Sequence, residues 1–114
     1  MEGLVVRVSI LNIPEDRIDE AIRAMTDAET ELAGIRSLAG LKAYFAGVDR
    51  ARCQITNVSI WNSAEHAEQM SSFQPMLELG KRFAARGATF LRPIPNFERL
   101  WTWGALESLG PVKP

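Results

Sequence analysis

The sequence predicts an α+β domain of the split βαβ, ferredoxin-like kind: an antiparallel four-stranded sheet in the chain order βαββαβ, backed by helices on one face. Three observations carry this. β-branched and apolar runs at residues 4–12 and 54–61 read as strands, amphipathic stretches at helical spacing follow each of these two, and the segments alternate in the order that pattern requires. The 114 residues and 12.7 kDa suffice for one domain. By surface scaling, about two thirds of the unfolded area can be buried in a chain of this size.

The first strand, Leu4 to Asn12, is rich in Val and Ile and stops before Pro14. Pro14, Glu15 and Asp16 then offer a first-turn proline and carboxylates at the positive end of a helix dipole. Ile18, Ile22, Met25 and Leu32 recur at helical spacing opposite Arg23, Asp27, Glu29 and Glu31, which predicts a helix over about 15–34 closed by Gly34. A hairpin is expected next, its first strand opening at Gly40 and reaching Gly47, its second running from Gln54 to Trp61. In that second strand Ile55, Asn57, Ser59 and Trp61 share one face, and Thr56, Val58 and Ile60 the other. Ser63 is placed to cap a short helix through Met70. A further helix starts at Pro75, presents Met76, Leu79 and Phe83, and stops at Gly87. The last strand is expected at about 97–103, with Phe97, Arg99, Trp101 and Trp103 on one face, so that residues 1–104 form the domain and 105–114 a loose tail. Apolar side chains project to both faces of the sheet, which predicts that a second copy covers the open face in a symmetric homodimer.

Composition narrows the function. Hydrophobic residues make up 46% and charged residues 24%, as in an ordinary globule. Thirteen basic against 14 acidic residues give a net charge of −1, which argues against nucleic acid as a partner. No run is long and apolar enough to span a membrane and no secretion signal is visible, so a cytoplasmic location is expected. One His and one Cys exclude Cys/His zinc sites, and Cys53, far in sequence from His66, is a poor nucleophile. Neither a phosphate loop nor a Ser-His-Asp set is present.

The stretch Gly40, Leu41 to Tyr44, then Val58-Ser59-Ile60-Trp61-Asn62-Ser63-Ala64-Glu65, then Phe73 and Gly87, resembles the antibiotic biosynthesis monooxygenase family of dimeric α/β barrels. The resemblance runs over about residues 4–103. It implies a cofactor-independent oxygenase, with no metal or flavin, that oxidises a hydroquinone-like or polycyclic phenolic substrate with O2. In such enzymes an Asn precedes the strand-ending Trp by four residues, and Asn57 and Trp61 match. Ala67 stands where those enzymes carry a Tyr, and His66, one position earlier, is the expected base. Arg82 lies near the position of the family's arginine and would stabilise developing negative charge with Asn57. Tyr44, Phe73, Arg99 and Trp101 are the expected substrate contacts. Two other readings remain open: a haem-binding or haem-degrading relative using Asn12 and Trp61, with Ser71 where the axial His belongs, and a non-catalytic dimer that binds a small apolar ligand.

Overall fold

A computed structural model of the protein describes residues 3–104; the expected tail at 105–114 lies outside them. Strand β1 (Val5–Asn12) occupies the middle of an antiparallel sheet. Its Val and Ile residues favour the pleated, half-buried setting of a central strand. On one side it pairs with β3 (Gln54–Trp61), which pairs in turn with the edge strand β2 (Leu41–Asp49). On the other side it pairs with two short pieces, β4 (Thr89–Phe90) and β5 (Asn96–Glu98). The α+β, ferredoxin-like fold class is as predicted.

The helical elements arise close to their expected places. A 3₁₀ turn over Glu15–Arg17 leads into α1 (Ile18–Glu31), and a second 3₁₀ segment (Ala33–Ser37) follows it. The expected single helix over 15–34 is therefore three pieces. Ser63 caps α2 (Ala64–Ala67), its Oγ accepting from the His66 backbone N–H at 3.2 Å. Beyond Ala67 the chain tightens to a 3₁₀ segment over Glu68–Ser72, and α3 (Gln74–Ala85) begins with Pro75 in its first turn. Gly87 ends α3 at φ +96°, a left-handed conformation natural for glycine.

Paired residues of antiparallel strands point to the same face, so the register assigns both faces of the sheet. Val5, Arg7, Ser9 and Leu11 of β1 stand opposite Trp61, Ser59, Asn57 and Ile55 of β3. All four of these β3 residues are buried, with Val5 and Leu11, beneath the helices. The core there is completed by Ala21, Ala28 and Leu32 from α1 and its end, and by Leu79 and Phe83 from α3. The other face carries Val6, Val8, Ile10, Val58 and Ile60, half-buried, with Phe45 and Phe97 exposed beside them.

The last strand departs from its expected form. Leu11 pairs with Phe90 and Val5 with Glu98, so the outer chain carries two more residues than β1 between those contacts. Pro93 and Pro95 have no N–H to give a ladder, and the chain bulges where they lie. Pairing ends at Glu98 because β1 itself begins at Val5; the Arg99 N–H bonds to the Leu4 carbonyl at 2.9 Å, the last contact along this edge. Trp101 and Trp103, expected on that strand, instead lie past its end, 70% and 85% exposed and packed edge to face on one another.

One glycine has no substitute. Gly40, at φ +78°, opens β2, and a Cβ there would run into the His66 imidazole. Gly40→Ala is expected to cost at least about 1–2 kcal/mol from backbone strain alone. Gly40→Ala/His66→Ala should recover only the steric part, as chemical denaturation of the three proteins would show.

Candidate functional site

A cavity of about 620 Å³ opens between α1, the 3₁₀ segment after it, and strands β2 and β3. Its existence follows from side-chain size. The outer half of β2 carries Ala46, opposite Asn57 on the helix-facing side, where a larger residue would extend toward Ile22 and Met25 of α1. The walls are mainly apolar, with Tyr44, Asn57 and Thr26 as neutral polar groups and Glu29 and Arg36 as the charged ones.

Asn57 is the chemically unusual member. It sits in mid-strand on the buried face, 6% exposed, between Ala46 on β2 and Ser9 on β1. Both neighbours on the sheet are small, and the residue forms part of the cavity wall. Its Oδ1 is buried without a hydrogen-bond partner among the described residues. Such an acceptor costs about 1–3 kcal/mol relative to a satisfied one. A group that carries this penalty on the wall of an apolar cavity is suited to a ligand bearing an O–H or N–H donor.

Tyr44 also lines the cavity. Burial pushes its phenol well above the usual tyrosine range, only partly opposed by the nearby positive charge of Arg7. The hydroxyl is therefore protonated, and a hydrogen-bond donor, at any physiological pH. Because the folded-state pKa is raised, the stability linked to it is fully present below about pH 10 and is lost as pH rises above that. Alkaline titration of unfolding should show Tyr44→Phe losing less stability above pH 10 than the parent protein.

The other residues expected in the site lie elsewhere. Trp61, 0% exposed, is beneath the helices and not on the cavity wall, its Nε1–H donating to Ser59 Oγ at 2.8 Å. The His66 Nδ1 is 2.8 Å from Ser63 Oγ, and the ring packs against Gly40, away from Asn57's cavity. Phe73 packs on Gly34, and Arg82 holds Glu31 at 2.6 Å in a separate groove between α1 and α3. Arg99 is exposed past β5 and donates to Thr102 Oγ1 at 3.2 Å, close in sequence to the exposed Trp101. Thus Asn57 and Tyr44 share one wall, while His66, Arg82, Phe73, Arg99 and Trp101 do not border that space.

The residues expected for haem do not meet either. Asn12 pairs with Gln54 and accepts from its side chain at 3.0 Å on the open face, whereas Trp61 is on the helix face at the other end of β3. The single histidine is bound to Ser63. This arrangement does not fit haem.

Arg7 was not singled out by sequence pattern, although an arginine within a Val- and Ile-rich strand, in phase with the buried positions, is a readable signal. Glu29 and Arg36 were likewise invisible as wall residues, because only the fold brings them opposite β2.

No family model and no curated protein matches this sequence. Solved structures do match its fold. A protein of Deinococcus radiodurans, provisionally named an antibiotic biosynthesis monooxygenase, superposes with a TM-score of 0.68 at 11% identity, over 89% of this chain and 97% of its own. One of Caulobacter crescentus with the same provisional name gives 0.67 at 11% identity, over 88% and 92%. SnoaB of Streptomyces nogalater, a cofactor-independent oxygenase, gives 0.60 at 12% identity, over 88% and 96%. The expected resemblance to antibiotic biosynthesis monooxygenases is thus present in the fold.

Proposed function

We propose that the protein is a cofactor-independent monooxygenase that binds a hydroquinone-like or polycyclic phenol in the cavity beside Asn57 and oxidises it with O2. The observation that carries this reading is the unpartnered, buried Oδ1 of Asn57 on the wall of a largely apolar cavity. A flat aromatic ring suits such walls, and a second phenolic O–H, one that keeps its proton, supplies the donor that the amide oxygen lacks. The fold shared with SnoaB supports the same chemistry.

The reaction balances without a metal or flavin. The phenol gives up its proton to water at the cavity mouth. The phenolate, an electron-rich anion, passes an electron pair to O2 in single-electron steps, and a C–O bond forms at the ring carbon para or ortho to the oxygen. Loss of that carbon's hydrogen as a proton then breaks the O–O bond. One oxygen atom stays as a ring carbonyl and the other leaves as water. Tyr44, held protonated, donates a hydrogen bond to the charge that develops.

A second copy would cover the apolar face that carries Val6, Val8, Ile10, Val58 and Ile60, giving a homodimer working in the cytoplasm. Among the described residues no helix is long and apolar enough to cross a membrane. The test is O2 consumption by chelator-treated protein against a panel of dihydroxynaphthalenes, anthrones and hydroquinones. Uptake above spontaneous oxidation, matched by quinone formation, is expected; uptake equal to background across the panel would remove the oxygenase reading.

A further inference from the structure

A phenolate intermediate needs positive charge beside it, and Arg82, held by Glu31, lies outside the cavity. Arg7 is a different case. It stands in the middle of β1, on the helix-facing side of the sheet, and is half-buried. Arg17, Arg50, Arg52, Arg82 and Arg86 each have a carboxylate partner within 4.0 Å. Arg7 has no hydrogen bond or ion pair with any described residue, and its desolvation lowers the affinity of the guanidinium for its proton. A cation taken partly out of water and left unpaired is costly, and an anionic ligand removes that cost.

The register puts this cation one strand behind the cavity wall, of which Arg7 itself is not a part. Tyr44, Ser59 and Arg7 form one row across β2, β3 and β1, and Asn57 is the diagonal neighbour of Arg7 on the same face. Adjacent strands are about 4.8 Å apart, a spacing that an arginine side chain can cross. Tyr44 and Asn57 line the cavity; Ser59 between them and Arg7 is small. Glu68, from the segment after α2, favours the charge on Arg7, while Arg92, between β4 and β5, opposes it. Two cations thus face one carboxylate at this end of the sheet.

From this placement we propose that Arg7 is a substrate-contacting residue that holds the phenolate oxygen of the ligand, with Asn57 beside it accepting from a second hydroxyl. The inference rests on the phenol reading of the cavity, and it narrows the substrate to polyhydroxylated arenes bound as the monoanion.

Alizarin, a dihydroxyanthraquinone whose colour changes on losing a phenolic proton, tests it under argon, where no turnover occurs. Bound to the parent protein, the dye should ionise about one pH unit or more below its free value. Arg7→Met should abolish that shift while circular dichroism shows the fold retained, and Arg7→Lys should keep part of it. Should Arg7→Met not fold, Arg7→Lys against Arg7→Gln provides the same comparison. An unchanged ionisation in the folded neutral variant, or no binding of the dye to the parent, would overturn the proposal. A shift that depends on Arg7 in a protein that consumes no O2 would uphold this subsite and sink the oxygenase reading alone.

Discussion

Asn57→Leu should make the protein more stable and catalytically silent. Leucine has nearly the shape of asparagine and removes a buried acceptor that has no partner among the described residues, so unfolding free energy should rise by about 1 kcal/mol. The same change takes the hydrogen-bonding group from the cavity wall, and turnover should fall by about 10²-fold, the scale of a substrate no longer held in its reactive position. The opposed signs are what distinguish a ligand-binding amide from a structural one. An asparagine kept for packing would give a leucine variant of unchanged activity, and one with a structural hydrogen bond would give a less stable protein. Urea denaturation together with steady-state rates separates these outcomes.

Trp61→Ala should have the largest effect on stability. The indole is fully buried where β3 meets the helices, opposite Val5 on β1 and Leu41 on β2, and its N–H is satisfied by Ser59. Truncating a buried tryptophan costs about 3–5 kcal/mol, a large part of the stability of a domain this size. Circular dichroism should find Trp61→Ala mostly unfolded near physiological temperature. Trp61→Phe should fold with a smaller loss, since it keeps most of the ring volume and leaves Ser59 without its donor. Loss of activity in Trp61→Phe without loss of stability would place the indole in contact with substrate.

The parts of the fold that depend on local pattern were legible in the sequence. Strict alternation along β3 placed Ile55, Asn57, Ser59 and Trp61 on one face, and all four are buried there. Ser63 announced its helix because a cap is a contact between near neighbours. Where the outcome depended on a partner distant in sequence, pattern was insufficient. The alternation of Phe97, Arg99, Trp101 and Trp103 looks like a strand, yet among the described residues the pairing with β1 ends at Glu98, followed only by the Arg99 N–H to the Leu4 carbonyl.

The site divides in the same way. Asn57 was readable because strand period gives a face. Arg82 was placed by its distance along the chain from Trp61, which says nothing of the direction a helical residue takes, and Glu31 on α1 holds it in another groove. The cavity itself comes from the small side chain of Ala46 on β2 facing α1, a juxtaposition of elements far apart in sequence.

In the proposed reaction the cavity beside Asn57 inserts one atom of O2 into a phenol. Mass spectrometry of the product formed under ¹⁸O2, with a dihydroxynaphthalene as substrate and short reaction times, follows that atom. One labelled oxygen in the quinone, one O2 consumed per product, and loss of that labelled product with Asn57→Leu are expected. Unlabelled quinone accompanied by hydrogen peroxide, or equal labelling with and without protein, would contradict that reaction.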